Sequence, residues 1–305
     1  MRLSKRISLM DIKKQEELTG WLCVVPIVLG ILIFQVYPLL FSLFASFTTW
    51  DLITKPKFVG FDNFVALFTS DLFFLKALSN TTIYALGVVF PTAALALIFA
   101  VLLNLEIKGR FIYRSIYFIP VVAPLVSIAI LWEWIYEPTF GILNFVLKLF
   151  GVTPGPIWLG TSQWALIAII IVAIWRGLGY DIVLFLAGLQ AISKDYYEAS
   201  SIDGANPVQN FFYITLPLLS PVTFLVLVLG VIDAFQVFTM PFIMTRGGPA
   251  NATISLVLLL YNDAFQNSQM GLASAIAYIL FAILLVLTLA NFSLQKLWVF
   301  YEEVR

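Results

Sequence analysis

The chain has 305 residues, of which 61% are hydrophobic and only 11% are charged. An ordinary soluble domain carries about 25% charged residues, and a folded globule still exposes a large part of its surface to water. The composition therefore excludes a soluble one- or two-domain enzyme and indicates a polytopic membrane protein.

The residue inventory excludes several kinds of site. Seventeen lysine and arginine residues balance seventeen aspartate and glutamate residues, so there is no basic excess to bind a nucleic-acid backbone. Cys23 is the one cysteine, and the chain has no histidine. These facts exclude a disulfide framework, cysteine- or histidine-based metal sites and nucleophiles activated by histidine. We expect no metal site and no catalytic residue in this chain.

Six apolar stretches are long enough to cross a bilayer, which requires roughly 20 residues in a helix. They cover residues 21–47, 82–103, 112–135, 164–189, 218–244 and 272–297. The sequence therefore predicts an all-α membrane protein with six transmembrane helices. Prolines interrupt several stretches, so we expect kinked helices whose freed carbonyls are satisfied by neighbouring helices or water.

Lysine and arginine residues are distributed unevenly between the polar segments. The basic N-terminal segment precedes an apolar run that is too long for a signal peptide and lacks a small-residue cleavage site, so we expect a retained anchor. With the N-terminus inside, eleven Lys and Arg residues lie in the cytoplasmic segments and five in the outer loops. Because cytoplasmic loops are the more basic ones, both termini and residues 190–217 are predicted to face the cytoplasm.

The cytoplasmic loop between the fourth and fifth stretches has the residue pattern of two short capped helices. Ser193 is a candidate N-cap, and Gly204 is placed where a helix ends with a left-handed residue. Asn206 is a second candidate N-cap, with Pro207 at the first helical position and Gln209 completing a capping box. The loop is therefore predicted to form two short helices with a fixed elbow at the membrane surface.

The same loop resembles the EAA motif of ABC importer permeases. Glu198-Ala199-Ser200 is followed after three residues by Gly204, and after nine more by Ile214-Thr215-Leu216-Pro217. Only Ser200 departs from the pattern, and serine is small like the alanine it replaces. In that family the loop, here residues 193–217, forms a coupling helix that docks on a separate ATPase subunit. The resemblance assigns ATPase coupling to Tyr196, Glu198, Ala199, Ser200, Asp203, Gly204, Ala205, Ile214, Leu216 and Pro217.

Four further segments are similar to the sugar-permease branch of type I ABC importers, which takes up maltose, other oligosaccharides or glycerol 3-phosphate. They are residues 59–64, 80–84, 185–192 and 245–249. Their order resembles that of the first of the two permease subunits. The resemblance implies the type I ABC importer permease fold with six transmembrane helices and a location in the inner, cytoplasmic membrane.

The resemblance also implies a set of partners. They are a second homologous permease, two ATPase subunits, an extracytoplasmic solute-binding protein, a sugar substrate and membrane lipid, with no nucleic acid. The sequence contains no G-x-x-x-x-G-K-S/T phosphate loop, so the chain is not expected to be an enzyme that hydrolyses ATP. We expect no cofactor on this chain and ATP-Mg on the partner ATPase.

Two alternatives remain open at this point. The importer could carry a non-sugar solute such as glycerol 3-phosphate or a polyamine, because fold similarity does not determine a ligand. From another class, the chain could be an ion-coupled secondary transporter, although we find no inverted internal repeat of the kind common in that class.

The apolar stretches and the motif divide the chain into four predicted parts. Residues 1–47 form a cytoplasmic tail and the first transmembrane helix, and residues 48–79 form an outer loop. Residues 80–297 form the permease core with five transmembrane helices, and residues 298–305 form a cytoplasmic tail.

Several polar and ionisable residues fall inside or near the ends of the predicted spans. Charges at membrane depth are costly and are expected to face a pathway, a partner helix or each other. We expect a translocation path or a permease–permease seam to be lined by Arg176, Tyr180, Asp181, Asp233 and Gln236. The alternative is a purely structural ion pair.

Tryptophans bracket the second outer loop. The interpretation favoured by general enrichment at membrane interfaces is an aromatic belt formed by Trp132, Trp134, Trp158 and Trp164. The alternative is that these rings stack on a sugar.

Overall fold

The computed structural model describes residues 2–105 and 109–300, without the side chains of residues 2–12, 110, 111 and 114. Within this part, four helices are long and apolar enough to cross a membrane, or six spans if each of two bent helix pairs counts as one. The four are Lys13–Ser46, Leu72–Asn104, Ala165–Ala191 and Met270–Trp298. The all-α prediction is confirmed, with one two-stranded sheet among the described residues.

The described residues contain no second domain of another fold class. The first half of the chain contains α1 Arg2–Ile31, a π turn Leu32–Val36, α2 Tyr37–Ser46, β1 Thr48–Thr49, β2 Lys57–Phe58, α3 Asp62–Thr69, α4 Leu72–Asn104, α5 Arg110–Val122, α6 Leu125–Ile135 and α7 Ile142–Leu149. The remainder is α8 Ala165–Ala191, α9 Lys194–Ile202, α10 Pro207–Asn210, a π turn Phe211–Thr215, α11 Leu216–Leu218, α12 Ser220–Phe235, a π turn Pro241–Thr245, α13 Leu256–Tyr261, a π turn Asn262–Gln266 and α14 Met270–Trp298.

The C-terminal end of the first span is tied to the start of α14. The buried Asn63 amide donates to the carbonyls of Ser46 and Thr48, each at 2.9 Å. A Cβ atom on Gly271 would lie 1.8 Å from the Thr48 carbonyl oxygen, so only glycine allows this approach. The antiparallel pair β1–β2, in which Thr48 faces Phe58, therefore sits against the first turn of α14.

α4 and α8 are parallel neighbours that form the centre of the bundle. Gly87 of α4 contacts Ile170 of α8, and Thr92 of α4 contacts Gly177 of α8. The two helices therefore run in the same direction. α5 crosses α8 at Gly179, where a Cβ atom would lie 2.1 Å from the Tyr117 carbonyl oxygen. The small residues of α8 thus allow two helices to approach its backbone closely.

One of the expected proline kinks is sharp enough to break the third predicted span, residues 112–135, into two helices. The pair Ser115–Val122 and Leu125–Ile135 is bent by 108°. Ala123 is extended with ψ of 141° and Pro124 follows with ψ of 131°. Proline disfavours the helical conformation of the residue before it, so α5 ends immediately before Ala123. Pro120, one turn earlier, is accommodated inside α5.

The fifth predicted span, residues 218–244, is also divided. It begins in a 62° bend between Pro207–Leu218 and Ser220–Phe235. α12 ends at Phe235, and helical structure resumes at Thr239, just before the π turn Pro241–Thr245. The carbonyl of Val237, freed by this break, accepts a hydrogen bond from the Ser255 hydroxyl at 2.7 Å. A side chain from the following segment therefore replaces the missing helical donor.

Two apolar cores lie along the bundle. The first joins the part of α8 up to Ala173 with α6, α13 and the beginning of α14. The second begins on α8 at Ile182 and joins it to the end of α4 and the start of α12. Neither core takes a buried hydrophobic side chain from residues 174–181 of α8, which are all described. Arg176 and Asp181 lie in this interval.

Candidate functional site: the coupling loop and the intramembrane polar cluster

The predicted coupling helix is α9. Ser193 accepts a hydrogen bond from the Asp195 amide at 3.3 Å, which confirms it as the N-cap. Every residue of α9 is exposed or half-buried, and Ile202 is 87% exposed. The helix therefore presents its side chains to the outside of the chain.

The elbow after α9 is formed as the sequence predicts. Gly204 has a φ of +80°, the left-handed conformation that favours glycine. The amides of Gly204 and Ala205 donate to the carbonyls of Ser201 and Ser200, at 3.2 and 3.0 Å. The last turn of α9 is thereby closed, and the direction of the chain after it is fixed.

The helix that follows the elbow begins with a complete capping box. The Gln209 amide donates to the Asn206 side chain at 2.9 Å, and the Asn206 amide donates to the Gln209 side chain at 2.8 Å. Pro207 occupies the first helical position. The N-termini of both helices in the loop are thus fixed by residues close to them in sequence.

A hydrogen bond between two hydroxyl groups braces the loop. The Tyr197 hydroxyl lies 2.9 Å from Thr215 Oγ1, and Thr215 also lies 3.3 Å from the Asn210 carbonyl oxygen. Thr215 is buried and Tyr197 is half-buried. The contact joins α9 to the segment that leads into α12. The sequence analysis missed both residues, because the π turn Phe211–Thr215 shifts the face on which Thr215 lies.

The structure brings about half of the predicted coupling residues into one groove. This groove has a volume of about 340 Å³, and its lining includes Ser200, Asp203, Gly204, Ala205 and Ile214. Glu198 and Ala199 lie outside it on the exposed face of α9, as does Tyr196. Leu216 and Pro217 are half-buried in α11 and connect the groove to α12.

Three of the predicted intramembrane residues, Arg176, Asp181 and Asp233, lie in one polar cluster with a tyrosine that the sequence analysis missed. Asp233 acts electrostatically on Asp181 and on Tyr84, and Arg176 acts on Tyr84 as well. Tyr84 is buried on α4, whereas Asp233 is exposed on α12. Three helices therefore contribute to this polar cluster. Tyr180 is exposed on α8, and Gln236 is exposed just after the end of α12.

Arg176 forms no ion pair with any carboxylate in the described part of the chain. Its Nε atom is buried without a hydrogen-bond partner there, as are Trp132 Nε1 and Thr92 Oγ1. Trp132 contacts the Trp175 ring at 5.5 Å, and Thr92 lies against Gly177. Three unsatisfied polar atoms thus surround one turn of α8. Buried polar atoms normally have partners, so this turn offers hydrogen-bonding capacity that the described residues leave unused.

A column of aromatic rings runs from this turn to the segment between α7 and α8. It consists of Trp175, Trp132, Tyr136, Trp158 and Trp164, with ring centroids 5.2 to 5.5 Å apart. Its middle members are buried: Tyr136 donates to the Ala168 carbonyl at 3.0 Å, and Trp158 donates to Asn144 Oδ1 at 2.8 Å.

The prediction that Trp158 belongs to an exposed belt, or stacks on a sugar, is therefore wrong. This side chain is only 8% exposed and serves as a packing residue. Trp134 is exposed, as a residue of an interfacial belt would be.

One segment that carries the sugar-permease resemblance, residues 80–84, is hydrogen-bonded to the chain just after another, residues 245–249. The Asn80 amide group donates to the carbonyls of Asn251 and Ile254, at 2.8 and 3.0 Å. Thr81 Oγ1 accepts a hydrogen bond from the Leu256 amide at 3.0 Å. The N-terminal part of α4 thereby holds the turn that follows the fifth span.

Residues 92–297 match the family model of the binding-protein-dependent transport system inner membrane component. The chain belongs to this permease family. The permease is therefore a multi-pass inner membrane protein, and members of the family are the membrane subunits of ABC importers rather than their ATPases.

Known relatives align with nearly the whole permease. A probable ABC transporter permease protein, YesP of Bacillus subtilis (strain 168), is 39% identical over 293 residues, which are 95% of this chain and 94% of YesP. The trehalose/maltose transport system permease protein MalF of Thermococcus litoralis is 36% identical over 279 residues, 91% of this chain and 94% of MalF.

The fold also matches a solved structure. A bacterial alginate ABC transporter, in complex with a periplasmic protein bound to an alginate pentasaccharide, contains a chain with a TM-score of 0.81. The match covers 94% of the permease and 96% of that chain at 24% sequence identity. The type I importer permease fold expected from the EAA resemblance is confirmed.

Proposed function

We propose that the permease imports a carbohydrate, driven by ATP and dependent on a solute-binding protein. It forms the translocation path with a second, homologous permease and is coupled to two ATPase subunits that carry ATP-Mg. Both termini and the coupling loop face the cytoplasm. The observation that carries the proposal is the exposed, capped helix α9, whose direction is fixed by the left-handed Gly204.

Relatives with carbohydrate names support the choice of cargo. MalF of Thermococcus litoralis is named for trehalose and maltose, and the AraP protein of Bacillus subtilis (strain 168), 32% identical, for arabinooligosaccharides. The UgpA protein of Agrobacterium fabrum, 34% identical, is named for sn-glycerol 3-phosphate. Glycerol 3-phosphate is therefore the second candidate cargo.

The coupling loop can pass a movement to the spans because it is braced internally. When the ATPases close on ATP, a displacement of α9 reaches the segment before α12 through the Tyr197–Thr215 contact as well as through the elbow. A change from 1:99 to 99:1 between inward- and outward-open states requires ~5.5 kcal/mol of differential binding. A loosely held loop would lose part of such a free energy in its own deformation.

The translocation path passes Arg176, Tyr180, Asp181, Asp233 and Gln236, together with Tyr84. This assignment is supported by the unused hydrogen-bonding capacity beside Arg176, since sugar hydroxyls both donate and accept hydrogen bonds. ATP-driven closure then exposes this cluster alternately to the two sides of the membrane.

The test is purification of the permease from its native membrane in mild detergent, with partners identified by mass spectrometry. We expect a second permease and an ATPase to be recovered with the wild-type chain. Gly204→Val should lose the ATPase or uncouple its activity, because valine is strained at a φ of +80°.

The matched control is Gly151→Val in the outer loop. Gly151 has a φ of +84° and, like Gly204, open space around a Cβ atom, so this variant should keep its partners. Recovery of the wild-type chain alone, or equal behaviour of the two variants, would contradict the proposal.

A further inference from the structure

The end of α14 is joined to the junction between the coupling loop and α12. The buried Ser220 hydroxyl accepts a hydrogen bond from the Phe300 amide at 2.8 Å. The same hydroxyl donates to the Pro217 carbonyl at 2.6 Å. One side chain thus connects the last residue of the coupling motif, the first residue of α12 and the chain just beyond α14.

This junction is a weak point of the backbone. Pro217 and Pro221 flank it, and each lacks the amide hydrogen that would bond to the preceding turn. Here the helices Pro207–Leu218 and Ser220–Phe235 meet at 62°. Because the helical hydrogen bonds are interrupted, a side-chain contact at Ser220 can set the angle of the bend.

Aromatic packing surrounds the contact. Phe224, one turn into α12, meets the Phe292 ring at 5.3 Å and the Trp298 ring at 6.3 Å, both on α14. These rings keep the end of α14 against the start of α12. The hydrogen bond from Phe300 lies at the edge of this apolar contact, and a bond with little access to water is more strongly held than one at the surface.

We infer that Ser220 is a positioning residue that transmits the movement of the coupling loop to α14 as well as to α12. A displacement of Pro217 reaches Ser220 through its carbonyl and reaches α14 through the Phe300 amide. The two spans then move as one unit on the cytoplasmic side. This inference rests on the proposed function, because it requires an ATPase that displaces the loop.

The experiment measures whether α12 and α14 stay together when ATP binds. Cys23 is changed to serine, and spin labels are placed on cysteines replacing Leu225 of α12 and Leu294 of α14, both exposed. Double electron–electron resonance measures the distance between the two labels in the purified complex with its ATPase. The nucleotide-free and ATP-bound states are compared. No cargo is needed, since ATP is the ligand.

We expect the distance between the labels to be the same in both states of the otherwise unchanged permease. Ser220→Ala should make this distance change by about 2 Å or more on addition of ATP, the size of a typical helix shift. Phe300→Pro should do the same, because proline has no amide hydrogen. Val299 is already extended with a ψ of 124°, which suits a following proline.

Two control variants distinguish the loss of the Ser220–Phe300 hydrogen bond from general destabilisation. Phe300→Ala keeps the amide, and Ser293→Ala removes a hydroxyl that bonds only to Leu289 on its own helix. Both should behave like the unchanged permease. The double variant Ser220→Ala with Phe300→Pro should shift no more than Ser220→Ala alone, since the hydrogen bond from the Phe300 amide is already lost in that single variant.

The inference is overturned if Ser220→Ala and Phe300→Pro leave the distance constant, or if Phe300→Ala shifts it as much as Phe300→Pro. A permease that purifies without any ATPase would overturn the proposed function, and this inference with it. That result is read from the protein content before any distance is measured.

Discussion

At the residue scale, the Tyr197 hydroxyl determines how firmly the coupling loop is held. It adds a side-chain contact between α9 and the following segment to the backbone connection at Gly204. A hydrogen bond between two protein groups contributes about 1 kcal/mol net. That is a modest amount for the whole fold but a large one for a short loop.

Tyr197→Phe removes this hydroxyl and leaves the ring. We expect the amides of α9 to exchange hydrogen about fivefold faster, the effect of losing about 1 kcal/mol of local stability. Hydrogen exchange read by mass spectrometry on the purified permease measures this. Tyr213→Phe removes a hydroxyl from an exposed ring nearby and should change little. Equal exchange in the two variants would show that the brace has no effect.

Asp263 gives the stability of the segment between α13 and α14 a dependence on pH. Burial, and secondarily the charge of Asp71, raise the pKa of this carboxyl above its usual value of 3.8, while the amide of Asn267 opposes the rise. The folded state therefore holds the proton more tightly than the unfolded chain. Stability contributed by this group is present at low pH and is lost as pH rises through the raised pKa.

Asp263→Asn should accordingly raise the melting temperature at pH 7 and reduce its change between pH 7 and pH 4. Asparagine can still accept the hydrogen bond that Asn267 donates to Asp263 Oδ1 at 2.9 Å. Thermal unfolding in detergent across this pH range provides the measurement. A lower melting temperature at pH 7 would show that the carboxylate is favourable where it lies.

At the scale of the elements, close approach at glycines explains how α8 packs against two neighbours. Gly179 touches the backbone of α5, whereas Gly177 faces only a methyl group of Thr92 on α4. A backbone contact cannot move away without displacing a helix, but a side chain can turn aside.

Gly179→Ala should therefore lower the melting temperature clearly more than Gly177→Ala. The added Cβ atom would lie 2.1 Å from the Tyr117 carbonyl oxygen in the first case and 3.3 Å from Thr92 Cγ2 in the second. Overpacking of this kind costs about 1–3 kcal/mol. Both variants gain the same helix propensity, so their difference in thermal unfolding isolates the clash. A similar melting temperature for both would contradict the crossing of α5 and α8 at this glycine.

Elements set by neighbouring residues could be predicted from the sequence, and those set by distant ones could not. Ser193, Gly204 and the Asn206–Gln209 box act over three or four residues, and the structure has each as predicted. Tyr84 and Tyr197 escaped notice because their partners are distant in sequence or shifted by a π turn. Burial of Trp158 likewise depends on Asn144 in α7.

At the scale of the whole molecule, the layer of α8 between the two apolar cores carries the polar residues Arg176 and Asp181. Arg176 lies in this layer without an ion pair among the described residues. An unpaired charge at membrane depth is unfavourable, so its presence in the permease indicates a role other than stability.

Arg176→Met should therefore raise the melting temperature of the permease and leave the co-purified ATPase in place, while removing the charge from the proposed path. Lys296→Met, near the end of α14, is the control and should change the melting temperature little. Thermal unfolding of the purified complex decides between the roles. A large fall in the melting temperature for Arg176→Met would make Arg176 a structural residue instead.

Several hydrogen bonds of the coupling loop are local. The side-chain hydrogen bonds given above for Ser193, Tyr197, Asn206, Gln209 and Thr215 all end within residues 193–215. These contacts hold the two helices of the loop against each other, while Pro217 links the loop to α12 and to the chain beyond α14 through Ser220. For the evolution of such importers, this division lets the local contacts of the loop persist while the spans diverge toward new cargoes, provided that the junction at Ser220 is kept.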